Sequence, residues 1–200
     1  MSDLFDEKSK DWDTNDMIKA LSSGVGAAIL EHVALNRQMS VMDFGAGTGL
    51  ISAQVAPHIK KITAVDISES MLDKLAAKPE LQGKVEVVRQ DLLDSPALGK
   101  FDLIISAMAL HHVEDTDRLI AKFTEHLDAG ARIALADLDK EDGSFHPPET
   151  EGVYHFGFER DTLGAVLQNH GFTEITFHTA HTVDKESGQY PVFLVTATKQ

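Results

Sequence analysis

Apolar and polar positions along this chain follow two different periods, and the changes of period mark its units. Met17, Ile18, Leu21, Val25, Ile29, Leu30 and Val33 recur with helical spacing, behind Thr14 and Asn15, either of which can cap a helix N-terminus. Gly24 and Gly26 interrupt that helix, each at a cost of about 1 kcal/mol relative to alanine, and nothing in the pattern accounts for them. Short β-branched and apolar runs follow at 40–44, 61–66, 84–89 and 101–106. The last is nearly continuous, as in a central parallel strand buried on both faces. A helical pattern over 50–56 lies between the first two runs, and another begins after the N-cap Ser68. Further along, the spacing predicts a helix over 114–127, a turn at Asp128-Ala129-Gly130, a fifth strand over 131–138 and a helix over 159–170 closed by Gly171. Two alternating segments, 172–183 and 190–198, predict a terminal hairpin. Strands alternating with helices indicate an α/β fold, and 200 residues suit a single domain spanning 1–200.

The first run carries the first chemical signal. Val41-Met42-Asp43-Phe44-Gly45-Ala46-Gly47-Thr48-Gly49-Leu50 is an apolar strand that ends in an acid and enters three alternating glycines. Such a strand–loop–helix unit lets main-chain N–H groups approach a nucleotide-like ligand with no side chain between. The spacing is GxGxG, and Leu50 stands where a dinucleotide fingerprint needs its third glycine. A P-loop would end in Gly-Lys-Ser or Gly-Lys-Thr, and no lysine follows until Lys60. Asp43 would repel a pyrophosphate and suits the cationic amino group of an amino-acid-like cofactor.

Two later strands end in the same way. Asp66, 23 positions after Asp43, closes the run 61–66, where an acid accepts hydrogen bonds from ribose hydroxyls in βαβ nucleotide folds. Asp91 follows the run 84–89. An acid before GxGxG, with acids at the next two strand ends, resembles the class I S-adenosylmethionine-dependent methyltransferases. By motif the resemblance covers about residues 40–138, and it extends more loosely to both ends. It implies a Rossmann-like three-layer α/β sandwich with a seven-stranded, mostly parallel sheet and an antiparallel last strand. It implies S-adenosyl-L-methionine as cofactor, S-adenosyl-L-homocysteine as product and methyl transfer to a small molecule. Carried over residue by residue, the cofactor would be held by Trp12, Asp43, Gly45, Ala46, Gly47, Gly49, Asp66, Ile67, Met71, Gln90, Asp91, Leu92, Ser106 and Ala107. In that reading Ile67 and Met71 lie beside the adenine, Asp91 accepts from its amino group and the Leu92 N–H meets a ring nitrogen. The N-terminal residues 1–36 become a helical lid, with Phe5 and Trp12 seven positions apart on one face and Trp12 as a pocket wall.

The substrate side rests on other residues. His111 and His112 follow the fourth strand end, in a Leu-His-His segment that the resembling family also has near the methionine part of its cofactor. Residues 139–158 form a long connection carrying Phe145, His146, Tyr154, His155, Phe156 and Phe158, which are costly to leave in solvent. That segment is expected to select the substrate. His111, His112, His146 and His155 are the catalytic candidates, since imidazole titrates near neutral pH. Their convergence with Asp137 or Glu151 would make a metal site. No short ligand pair such as HxH or HExxH is present, so the histidines are read as hydrogen-bonding pocket walls and no metal ligand is assigned.

Composition narrows the partners. A net charge of -14, from 18 basic and 32 acidic residues, opposes attachment to nucleic acid or an anionic membrane. With no cysteine there is no thiolate nucleophile and no disulfide framework. The acidic start Asp3-Leu4-Phe5-Asp6-Glu7 does not read as a signal peptide, so a cytoplasmic protein is expected. Two other readings stay open, a protein that binds the cofactor without transferring its methyl group and a nicotinamide-dependent oxidoreductase, which Leu50 disfavours.

Overall fold

The structure, a computed structural model, describes residues 6–95 and 99–200. Phe5, expected beside Trp12, lies outside the described residues. In chain order the elements are α1 (Asp6–Asp11), a 3-10 turn (Trp12–Thr14), α2 (Asp16–His32), β1 (Ser40–Phe44), α3 (Leu50–Val55), β2 (Lys61–Asp66) and α4 (Glu69–Ala76). They continue with β3 (Val85–Arg89), β4 (Phe101–Ala107), α5 (Thr116–Glu125), β5 (Leu127–Leu138), α6 (Arg160–Asn169), β6 (Phe172–Lys185) and β7 (Gly188–Lys199).

The strands make one seven-stranded sheet in the order β3-β2-β1-β4-β5-β7-β6. β3, β2, β1, β4 and β5 pair in parallel, and β7 runs antiparallel between β5 and β6. The pleat divides the core between the two faces of the sheet. Val41, Ile62, Leu103 and Ile105 pack under Val25 of α2, Val55 of α3 and Leu75 of α4. Met42, Val65, Ile104 and Ile133 pack on the other face against Leu119 and Phe123 of α5 and Leu167 of α6. Strand order reverses between β1 and β4, so the connections leaving those strands part in opposite directions and open a crevice at their carboxyl ends.

The expected caps form. The Asn15 side chain accepts from Ile18 N at 3.2 Å, and Ser68 Oγ accepts from Met71 N at 3.2 Å. The glycines of α2 acquire a reason, which is close packing. A Cβ on Gly26 would stand 2.2 Å from Gln54 Oε1, and one on Gly24 3.0 Å from the Ala180 carbonyl oxygen. Gln54 in turn bridges the two helices by donating to Ser22 O at 2.9 Å and to Leu50 O at 3.0 Å.

The hairpin strands run longer than the pattern, to Lys185 and from Gly188, and two other boundaries shift for a local reason. α5 begins at Thr116, because the Asp115 carboxylate accepts from Arg118 N and caps it there. The segment expected as a turn, 128–130, belongs to the strand: Phe101 pairs with Leu127 and Leu103 with Arg132, so three extra residues bulge out of β5. Among the described residues no helix is long and apolar enough to cross a membrane.

Candidate functional site

A cavity of about 590 Å³ occupies the crevice at the strand ends. One end is built from the glycine loop. The N–H groups of Gly45 and Ala46 both donate to the Val65 carbonyl, at 2.9 and 3.2 Å, which folds the loop over the end of β2. Gly47 takes φ +52, and a Cβ there would meet nothing within 4 Å. Its glycine identity therefore serves the backbone conformation and the open approach to the cavity rather than packing. Gly47 N donates to Asp66 Oδ2 at 2.8 Å, while Asp66 Oδ1 accepts from Ser68 N at 2.9 Å. One carboxylate thus fastens the loop and the start of α4 together.

Asp43 lies under this loop and is 2 % exposed. Ser52 Oγ donates to its Oδ2 at 2.6 Å. Burial pushes the carboxyl up to about 7; the Ser52 hydrogen bond opposes the rise and the negative charge of Asp66 adds to it. A carboxylate held this far from water is poised to accept a cation, which would restore its ordinary acidity.

The N-terminal segment closes over the same end. Trp12 lines the cavity, and the next residue, Asp13, accepts from the buried Thr48 hydroxyl and pairs with Lys78 Nζ at 2.6 Å. Lys74 Nζ donates to the Lys10 carbonyl at 2.9 Å. The far wall comes from β2 and β3. Ile67 and Met71 face the cavity, the first 56 % exposed and the second buried. Gln90 N donates to Asp66 O at 3.0 Å, and Asp91 Oδ1 accepts from Leu93 N at 2.8 Å, which folds the turn that buries Leu92.

The other end is built from histidines. Met108, a non-glycine residue at φ +58, turns the chain sharply after β4 and its N–H donates to Ala136 O at 2.9 Å. The 3-10 turn Leu110–His112 follows. His111 is buried, with Nδ1 2.7 Å from Asp137 Oδ1 and its backbone N donating to Asp137 Oδ2 at 3.2 Å. His112 Nδ1 donates to the Gly152 carbonyl at 2.6 Å. His146 Nε2 stands 3.2 Å from His111 Nε2. Residues 139–158 deliver His146 because both ends of the segment are tied. Asp139 bridges to Phe158, and Arg160 binds the Asp139 carboxylate through Nε and Nη2, both at 2.7 Å. That ion pair raises the Arg160 pKa further. In the middle, Phe145 is buried against Tyr190 with ring centroids 5.2 Å apart.

Of the residues singled out from sequence, Trp12, Asp43, Gly45, Ala46, Gly47, Asp66, Ile67, Met71, Gln90, Asp91, Leu92, Ala107, His111, His112 and His146 surround the cavity. Three do not. A Cβ on Gly49 would lie 2.7 Å from Leu75, so this glycine lets the loop pack on α4. Ser106 donates to Phe44 O at 2.8 Å and ties β4 to β1. The expected convergence of four histidines is corrected to three: His155 Nε2 turns to the Val113 and Glu114 carbonyls, at 2.9 and 3.1 Å, and pins the segment to the start of α5. Tyr154 and Phe156, expected to be covered with the other aromatic residues of the segment, remain about half exposed. Sequence reasoning missed Asp13, Thr48 and Lys185. Lys185 reaches the cavity from the end of the long hairpin, donating to Phe145 O with Nζ 3.9 Å from the Phe145 ring centroid. Only the hairpin length, which the register decides, could have signalled it.

The chain is similar to known proteins. The family described as "Methyltransferase domain" matches residues 41–130. An uncharacterized methyltransferase of a Geobacillus species is 30% identical over 165 residues, 74% of this chain and 76% of its own length. One from Schizosaccharomyces pombe is 34% identical over 135 residues, 60% of this chain; the match spans about half, 48%, of that longer relative. Among solved structures, Haemonchus contortus phosphoethanolamine N-methyltransferase 2, in complex with phosphomonomethylethanolamine and S-adenosylhomocysteine, superposes with TM-score 0.77 at 16% identity, over 98% of this chain and 59% of that one.

Proposed function

The chain belongs to the class I S-adenosylmethionine-dependent methyltransferases, and from that premise we propose that it transfers the sulfonium methyl group to a small-molecule acceptor held at the histidine end of the cavity. The observation that carries this reading is the continuity of one cavity from the buried carboxylate of Asp43 to His111, His112 and His146. Asp43 takes the cofactor's ammonium group, and the backbone of Gly45, Ala46 and Gly47 receives its amino-acid portion. Asp66 accepts from the ribose hydroxyls, and Ile67 and Met71 flank the adenine. Asp91 and the Leu92 N–H read the adenine edge beside Gln90. Trp12 and the rest of the N-terminal segment close over the cofactor as a lid, and Ala107 borders the reacting end.

The reaction asks little covalent chemistry of the protein. The acceptor's lone pair forms a bond to the methyl carbon while the S–C bond breaks in line, and its electron pair stays on sulfur to give neutral S-adenosylhomocysteine. The protein aligns the two reactants, excludes water and takes up any proton the acceptor loses. His111, His112 and His146 border the acceptor at that end. The phosphomonomethylethanolamine in the Haemonchus contortus enzyme is a small-molecule ligand in a protein of this fold, and the charge of -14 disfavours a nucleic acid acceptor here.

Denaturing the purified protein and identifying released ligands by mass spectrometry tests the cofactor: S-adenosylmethionine or S-adenosylhomocysteine supports the reading, and NAD(P) sinks it. A screen of small metabolites with methyl-labelled cofactor then tests the acceptor class. Label that accumulates in protein or nucleic acid instead of a small product would overturn it.

A further inference from the structure

The histidine end is organised as a set of ligands rather than around a lone base. His111 Nδ1 faces a carboxylate oxygen of Asp137, and His112 Nδ1 faces the carbonyl oxygen of Gly152. Both oxygens are acceptors, so each Nδ1 carries the proton, and in the neutral rings the lone pair sits on Nε2. Nε2 of His146 lies 3.2 Å from Nε2 of His111, and the three residues offer ring nitrogens within 4.8 Å of one another. Nitrogens bound to one cation at ~2.1 Å lie ~3.0–3.4 Å apart in octahedral or tetrahedral geometry. The His111–His146 pair already has that spacing.

The geometry points to a binding site for a divalent first-row transition metal, held by His111, His112 and His146, with Asp137 and the Gly152 carbonyl orienting two of the three ligands. Two features favour it over a pair of histidines sharing a proton. A shared proton needs two rings, whereas three converge. A carboxylate and a carbonyl behind the ligating rings are also the outer shell that histidine metal sites use to fix tautomer and ring orientation. Three imidazoles in a chain without cysteine suit zinc, iron(II), nickel or copper, and do not suit calcium or magnesium. All three histidines line the cavity, so a further coordination position faces the space assigned to the acceptor. That the cation holds an oxygen or nitrogen of the methyl acceptor rests on the function proposed above; that it binds does not.

The test is a titration of metal-stripped protein with Zn²⁺ by calorimetry and with Co²⁺ by visible absorption. The expected result is one cation per chain, with a Co²⁺ band that Zn²⁺ bleaches. Binding should weaken at least ~10-fold in His112→Ala and in His146→Ala, and by about 10- to 100-fold in Asp137→Asn. His178→Ala breaks a stacked pair with His32 elsewhere, ring centroids 3.6 Å apart, and should leave the affinity unchanged. Absence of a one-to-one complex overturns the site, as does binding that survives His146→Ala and disappears in His178→Ala. Calorimetry with S-adenosylmethionine on the same samples separates the two proposals. Cofactor binding without metal binding overturns the metal site alone, and metal binding without cofactor binding overturns the methyl-transfer reading alone.

Discussion

Ser52 Oγ donates a 2.6 Å hydrogen bond to Asp43 Oδ2 beneath the glycine loop, yet burial still holds the Asp43 carboxyl at about 7 against an ordinary 3.8. Between those two values the folded protein keeps a proton that the unfolded chain has released. The group's contribution to stability is therefore fully present below about pH 4 and is lost as pH rises to about 7, by on the order of 4 kcal/mol. Thermal unfolding of ligand-free wild type and Asp43→Asn across that window should show the difference in Tm shifting toward the variant as pH rises. A difference that does not move with pH refutes the assignment. In the proposed binding mode the cofactor's ammonium group meets ionised Asp43, so S-adenosylmethionine affinity is expected to rise with pH up to about 7.

Asp66 is asked to do two things, to fasten Gly47 and Ser68 and to accept from ribose. Asp66→Ala should weaken S-adenosylmethionine binding by at least ~10-fold in calorimetry, the size of a lost hydrogen bond to a charged group. Unchanged affinity would remove the ribose assignment.

Asp13 ties the N-terminal segment to the glycine loop and to the residues after α4, holding the Thr48 hydroxyl and Lys78, and in the function proposed above that segment is the lid. Trp12, the sole tryptophan, lines the cavity and gives a fluorescence signal for ligand entry. In stopped-flow experiments Asp13→Ala should release S-adenosylhomocysteine ~10-fold faster, as one charge-assisted contact of ~1.5 kcal/mol is lost. Identical release rates would mean that the segment does not gate the site.

Gly157 closes the histidine-bearing segment. It has φ +68, and a Cβ would sit 2.1 Å from the Asp139 carbonyl oxygen, where the segment's ends meet. Gly157→Ala should cost about 2–3 kcal/mol in denaturant unfolding, through backbone strain and the clash together. A variant as stable as wild type would show that the bridge contributes nothing.

Much of this molecule was legible in one dimension. The strand ends Asp43, Asp66 and Asp91 and the GxGxG turn follow from local rules: a β-branched run needs a sheet, and a turn with positive φ needs glycine. The parallel order then follows from the alternation of strands and helices. The glycines of α2 were legible as an anomaly and unexplained until Gln54 and Ala180 appeared beside them, since close approach between elements leaves no trace in the sequence of either. The same holds for β5, whose bulge at 128–130 looks like a turn until its pairing with β4 is known.

The sequence by itself determined the strands and the loop chemistry and, through the family resemblance, implied the sheet and the cofactor, because the motifs rest on residues within one strand–loop–helix unit or on one strand end repeating another. The tertiary structure alone decided which histidines meet. His111, His112, His146 and His155 look equivalent along the chain. The Arg160–Asp139 pair and the burial of Phe145 fold the intervening segment so that His146 reaches His111, while His155 is held on the backbone carbonyls before α5. Long-range register is a property of the packed core, and it placed Lys185 and Asp137 at the cavity's edge and behind it for the same reason.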